Sequence, residues 1–217
     1  MEVNLLCRMN TEAAIEHLKQ HEKIRSLVET ISVPDFSPSG RVYFDLLDSI
    51  VSQQLSVKAA NTIFNRFCTL FPDNYPHPGL LSAIEKDRLR SAGLSSQKAS
   101  YLQNVAAFSL EYDLENHRWD AMSDEDIIDF LTRIKGVGKW TAQMILMFTI
   151  GRPDVFPVDD LGIQQAMSRL YGLDEKNKNL KQQMIELAQP WRPYRTVASR
   201  YLWRWKDSIS TTSVQPE

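Results

Sequence analysis

The chain has 217 residues, of which 43% are hydrophobic and 24% charged; this excludes disorder and low-complexity repeats and leaves one large domain or two small ones. The formal net charge of −2 and a pI near 6.1 give no reason by themselves to expect a nucleic-acid partner. Two cysteines, Cys7 and Cys68, exclude a four-cysteine zinc site and an iron–sulfur cluster, and they argue against a disulfide framework, so a reducing compartment is expected.

The start, Met1 to Arg8, has an acid at position 2 and only a short apolar run, so no signal peptide is expected. Phe44, Leu47, Ile50 and Val51 fall on one face of a helix over 43–53. Ala60, Ile63, Phe64, Phe67 and Leu70 repeat the pattern over 57–71, and Pro72 stops it. A helix over 80–91 ends at Gly93, and another over 97–110 is capped by Ser95 or Ser96. Ser123 opens Ser-Asp-Glu-Asp before Ile127, Ile128, Phe130 and Leu131, a capping-box-like start. A strongly apolar helix follows over 139–150. Its most apolar part, Met144 to Ile150, is far short of the roughly 18 residues needed to cross a membrane. Asp159 or Asp160 opens a helix that ends at Leu170, before Gly172. Segments 179–188 and 194–206 complete an all-α chain of about nine or ten helices. The residues from Ser210 to Glu217 are small and polar and are expected to fray.

Charge is uneven. Glu111 to Asp129 holds eight acids and one arginine. Arg192, Arg195, Arg200, Arg204 and Lys206 form an acid-free basic stretch, and Arg133, Lys135 and Lys139 form another. Single charge runs ordinarily mark solvated faces. Two basic stretches in a weakly acidic chain keep a polyanion partner open.

Residues 131–140 read Leu-Thr-Arg-Ile-Lys-Gly-Val-Gly-Lys-Trp. A helix runs into Gly136-Val137-Gly138, and a second helix leaves it. The glycines allow positive φ and close backbone approach. Amides at the start of the second helix can seat a phosphate without adding to net charge. Taken alone, Gly-x-Gly is equally a tight turn between helices.

The surroundings carry more. The segment resembles the helix-hairpin-helix (residues 134–140) of the DNA glycosylase superfamily, in which a Gly/Pro-rich loop and a catalytic aspartate follow the hairpin. Here that loop is Gly151-Arg152-Pro153-Asp154-Val155-Phe156-Pro157-Val158-Asp159-Asp160. Ile50-Val51-Ser52-Gln53-Gln54-Leu55-Ser56 resembles the family's DNA-probing helix–loop. Leu89 to Ser95 with Lys98-Ala99, and Trp191 to Arg195 through Trp203, are also similar to family segments. The last of these is similar to the 3-methyladenine (alkylpurine) branch. The resemblance covers residues 40 to 206.

It implies an all-α fold of two helical subdomains with an active-site cleft between them. Residues 36–152 would form a helical barrel carrying the hairpin; 1–35 and 153–217 would form the second subdomain. It also implies a monofunctional enzyme. Where bifunctional members carry a Schiff-base lysine this chain has Trp140, with Lys139 one place earlier. No cysteine follows Cys68, so the iron–sulfur loop of some relatives is absent. The residues before the match are too few for the β-containing domain of the larger bacterial enzymes, which points to the compact version.

Asp160, twenty positions after Trp140, is the catalytic candidate. Hydrolysis builds positive charge on the sugar, and a carboxylate can stabilise that charge or activate water. Asp159 alone suffices to cap the helix, which frees Asp160 for another task. The resemblance places Trp140, Leu161 and Trp203 around the base, with Met144 and Arg204 where relatives carry aromatics. A cationic alkylated purine stacks on electron-rich rings. Gln54, with Leu55 beside it, would fill the gap left by the flipped base. Gln53, Ser56, Lys58, Gly136, Val137, Gly138, Lys139 and Thr141 are the further DNA-contact candidates. No cofactor is expected beyond a structural Na⁺ or K⁺ on the main-chain carbonyls of Thr132, Ile134 and Val137. His17 and His21, spaced i, i+4, could share a helix face, but no third metal ligand is evident.

The reading is thus a 3-methyladenine-class DNA glycosylase of base-excision repair without lyase activity. It would be a soluble, monomeric protein, cytoplasmic in a bacterium or nuclear in a eukaryote, acting on double-stranded DNA with alkylated bases or abasic sites and having no membrane partner. Two alternatives stand beside it: a non-catalytic homologue that binds abasic or distorted DNA, and a helical scaffold with no DNA role.

Overall fold

The structure is a computed structural model and describes residues 11–212. In chain order its α-helices are α1 (Thr11–Leu18), α2 (Glu22–Thr30), α3 (Val42–Ser52), α4 (Val57–Cys68), α5 (Pro78–Ala83), α6 (Lys86–Ser91), α7 (Ser96–Tyr112), α8 (Asp124–Thr132), α9 (Lys139–Met144), α10 (Leu161–Tyr171), α11 (Leu180–Leu187) and α12 (Arg195–Thr212). A π-helical segment, Ile145–Ile150, continues α9. No strand occurs among the described residues, so the all-α expectation holds. The signal-peptide reading of Met1 to Arg8, Cys7 and the end of the tail from Ser213 lie outside the described residues.

The chain divides into two compact units. One is Ser39–Ile150; the other is formed by the described parts of Met1–Pro38 and Gly151–Glu217. The boundaries expected from sequence were 36 and 152. In the first unit α3 is central. Its Val42, Tyr43, Leu46, Leu47, Ile50 and Val51 are all buried, and it packs on α4, α7 and the π segment. Its half-buried side carries Asp45, Asp48, Ser49 and Ser52, so α3 is an amphipathic helix with one wide apolar face. In the second unit the core joins Ala14 and Leu18 of α1 and Ile24, Leu27 and Val28 of α2 to Ile163, Ala166 and Met167 of α10 and Val197, Ala198, Tyr201 and Leu202 of α12, with Trp191 fully enclosed.

Several boundaries differ from the sequence reading, each for a local reason. The helix expected over 80–91 is two helices. Pro78 starts the first early, and Ile84 and Glu85 are extended between them. The Gln103 side chain on α7 donates to the Ile84 carbonyl at the break (2.9 Å), a long-range cap that no local pattern reveals. The helix from Val57 stops at Cys68 because the amides of Leu70 and Phe71 tighten into i→i−3 bonds before Pro72. Ser95 and Ser123 cap α7 and α8 as expected, each side chain accepting an amide three residues on. The backbone of α12 continues through Ser210 to Thr212, where fraying was expected. His17 and His21 do not share a helix face: His17 lies in the last turn of α1 and His21 is the N-cap of α2, their rings meeting edge-on at 5.3 Å. Among the described residues no group of His, Cys, Asp or Glu is arranged to hold a metal ion. No helix there is long and apolar enough to cross a membrane.

Candidate active site and nucleic-acid interface

The hairpin lies in the first unit. Ile134 and Val137 are buried, and the Val137 amide donates to the Ile134 carbonyl (2.9 Å), closing the turn. Gly136 has φ 111°, and a Cβ there would sit 2.3 Å from Cγ of Tyr101. Only glycine satisfies both conditions. Asn104 Nδ2 donates to the Lys135 carbonyl (3.0 Å) and holds the turn from α7. Gly138 departs from the expectation. Its φ is −96°, and a Cβ there would meet nothing within 4 Å, so it is neither strained nor crowded. It is the N-cap of α9, and its outer side is open. Lys139 is exposed and Trp140 is 43% exposed, whereas Thr141 is buried at 3% and its side chain does not face solvent. Met144 is half-buried. Thr132, Ile134 and Val137 lie at or beside this turn, so their carbonyls are the ones that could hold a monovalent ion. Ile134 O accepts one amide, and a carbonyl has a second lone pair.

The probing loop begins where α3 ends. Gln53 leaves the helical region with φ −51° and ψ 129°, and Gln54 takes φ 58°, the left-handed region that non-glycine residues rarely enter. Gln54 is exposed, Leu55 is 38% exposed, and Ser56 caps α4 by accepting from the Ala59 amide. Ser56 and Lys58 line an open depression with Ala59, Thr62 and Ile63. The sequence reading missed what holds this loop. Lys98 Nζ on α7 donates to the carbonyls of Val51 and Gln53, each at 2.7 Å. These are carbonyls at a helix C-terminus, where partners are lacking and a cation is favourable.

In the second unit the Gly/Pro-rich loop is clamped to α12. The Asp154 carboxylate receives Arg195 in a two-point bond (2.7 and 3.0 Å). Thr196 Oγ1 donates to the Arg152 carbonyl and accepts from the Val155 amide, and the Thr196 amide donates to the Pro153 carbonyl. The loop delivers Asp160 to the first position before α10. Here the expected division of labour is reversed. Asp160 is itself the N-cap, its Oδ1 accepting from the Ile163 amide (2.9 Å), while Asp159 is engaged by Lys181 (2.6 Å). Asp160 is nevertheless more than a cap, because the Trp203 indole N–H donates to the same Oδ1 at 2.8 Å. Two donors on one oxygen fix the plane of the carboxylate. Gly162 makes room for this: a Cβ there would lie 3.1 Å from both Asp160 Oδ1 and Trp203 Cδ1. Leu161 is 65% exposed. Arg204 is exposed and lines a separate depression with Thr30, Ile31, Ser32, Asp207 and Ser208.

A hairpin, a Gly/Pro-rich loop and a tethered aspartate in that order also describe a known family. Residues 47–193 match the model of the HhH-GPD superfamily of base excision DNA repair proteins. The chain belongs to the HhH-GPD superfamily. Among similar proteins, YfjP of Bacillus subtilis is 36% identical over 169 residues, an alignment spanning 75% of this chain and 58% of YfjP. The Schizosaccharomyces pombe 3-methyladenine DNA glycosylase Mag1, solved in complex with abasic DNA, superposes with a TM-score of 0.75 at 32% identity, covering 90% of this chain and 97% of Mag1. A DNA-3-methyladenine glycosidase from Bacillus halodurans superposes with a TM-score of 0.79 at 31% identity, covering 93% and 91%.

Proposed function

We propose that this chain is a monofunctional DNA glycosylase that hydrolyses the N-glycosidic bond of 3-methyladenine-class alkylpurines and leaves an abasic site. The observation that carries this reading is the Asp160 carboxylate, fixed on Oδ1 by the Ile163 amide and the Trp203 indole. The names and titles of the relatives support the substrate class. Methylation at N3 makes the purine cationic and a good leaving group. The bond between C1′ and the base nitrogen breaks, and its electron pair leaves with the base as neutral 3-methyladenine. Positive charge develops on the sugar, the oxygen of a water molecule bonds to C1′, and that water loses a proton. Asp160 stabilises the charge or takes the proton. A carboxylate about 4 Å from the sugar, at an effective dielectric of 20, lowers the barrier by about 4 kcal/mol, or about three decades in rate.

In this reading the chain binds double-stranded DNA. The amides that follow Gly138 seat a phosphate, which the open space over that glycine supports. A Na⁺ or K⁺ on the carbonyls of Thr132, Ile134 and Val137 would brace the turn. Gln54 and Leu55 fill the gap left by the extruded base, and the exposed Trp140 indole offers it a stacking face. Trp140 stands where an amine would be needed for strand cleavage, so the product remains an intact abasic site. Incubation with methylated DNA and chromatography of the released bases tests the reading. Free 3-methyladenine is expected from the wild type. Abasic-DNA binding without release would leave the non-catalytic alternative.

A further inference from the structure

Three side chains on one side of α7 hold both of the loops that would touch DNA in the first unit. Lys98 donates to the Val51 and Gln53 carbonyls at the end of α3. Tyr101 packs against Gly136, and Asn104 donates to the Lys135 carbonyl of the hairpin. Spaced i, i+3, i+6, they fall within about a third of a turn of one another. The Lys98 contact is made across 47 residues of sequence. Its ammonium is half-buried, and burial pulls its pKa below the ordinary lysine value. A partly desolvated ammonium is favoured where acceptors meet it. Two carbonyls of a helix end do so, and the residue that follows them is Gln54, in a left-handed conformation and exposed.

We propose that Lys98 is a positioning residue for lesion recognition: by pinning the end of α3 it presents Gln54 at a fixed distance from the hairpin that Tyr101 and Asn104 hold on the same helix. The proposal rests on the reading of Gln54 as the residue that enters the duplex. The catalytic carboxylate has no part in it. Without the ammonium, the Val51 and Gln53 carbonyls lose their donor, and Gln54 is released from its strained conformation into alternatives that are easier for a non-glycine residue. The probe then has to be ordered at the moment of binding, which weakens recognition of a damaged site more than general DNA contact.

The test measures binding to a duplex containing a tetrahydrofuran abasic analogue and to the same duplex undamaged. The proteins are the wild type, Lys98→Met, Lys98→Arg, Gln54→Ala and the Lys98→Met/Gln54→Ala double variant, with melting temperatures in parallel. Lys98→Met is expected to lower the preference for the abasic duplex about tenfold, the size of one charge-assisted hydrogen bond, with Lys98→Arg recovering part of it. The double variant should be no worse than Gln54→Ala alone, because Lys98 acts through Gln54. Multiplying effects in the double variant, or wild-type preference in Lys98→Met, would overturn the proposal. If Lys98→Met does not melt cooperatively, Lys98→Gln takes its place, and wild-type preference there overturns it equally. A wild type without preference for the abasic duplex would remove the DNA reading itself, an outcome distinct from a silent Lys98 in a discriminating protein.

Discussion

Replacing Gly136 by alanine places a carbon 2.3 Å from Tyr101 Cγ and 2.7 Å from its Cβ, on a backbone with φ 111°. The left-handed backbone costs an L-residue about 1–2 kcal/mol, and forcing a methyl group against a packed ring adds about 1–3 kcal/mol. The expected loss is roughly 2–5 kcal/mol, a fall of about 4–20 °C in melting temperature for a chain of this size. Gly138→Ala is the paired control. Its φ is −96° with nothing near the added carbon, so its stability should stay within about 0.5 kcal/mol of wild type. Its DNA affinity should nevertheless fall, because the methyl group occupies the open side of the hairpin where a phosphate would approach. Melting by circular dichroism and a salt series of DNA binding separate the two effects. A Gly136→Ala protein that melts like wild type would refute the packing argument. A Gly138→Ala protein with full DNA affinity would refute the seat.

Gly162→Ala should lower single-turnover base release about tenfold with little change in melting, because its Cβ, 3.1 Å from Asp160 Oδ1 and Trp203 Cδ1, forces the carboxylate–indole pair to shift; unchanged release would mean that the pair tolerates displacement. Borohydride treatment of the protein during turnover should trap no covalent DNA adduct, since Trp140 replaces the amine; a trapped adduct that disappears in Lys139→Ala would transfer that role to Lys139. Burial, followed by the neighbouring His17 ring, holds the His21 pKa below the ordinary 6.5. The unfolded chain therefore takes up this proton first on acidification, so the contribution to stability is complete above 6.5 and is lost as pH falls through the lower folded value. Melting temperatures from pH 7.5 to 5 should fall less steeply in His21→Gln than in wild type, and parallel curves would contradict the assignment.

Long periodic helices with local caps were legible in the sequence. The apolar stripe of α3 and the serines before α7 and α8 place those elements because their signals lie within one turn of the structure they direct. Contacts made across long stretches of chain were not legible. Gln103 on the Ile84 carbonyl splits a helix, and Lys98 on the Val51 and Gln53 carbonyls fixes a loop, yet nothing near either acceptor in sequence announces its donor. At the candidate site the aspartate pair was visible but its division of labour was not. Lys181 and Trp203, arriving from 22 and 43 residues away, decide which acid is a surface ion pair and which is held in plane. The two hairpin glycines look alike in the sequence; only Tyr101 and the sign of φ distinguish them.

The role of Asp160 is the centre of the account, and Asp160→Asn tests it most directly. Asparagine keeps an oxygen for the Ile163 amide and the Trp203 indole, so the fold and the binding of abasic DNA should persist while the charge is lost. Single-turnover release of 3-methyladenine from methylated duplex should then fall by about three decades, the value of a carboxylate beside the developing cation. Release within tenfold of wild type would contradict the mechanism.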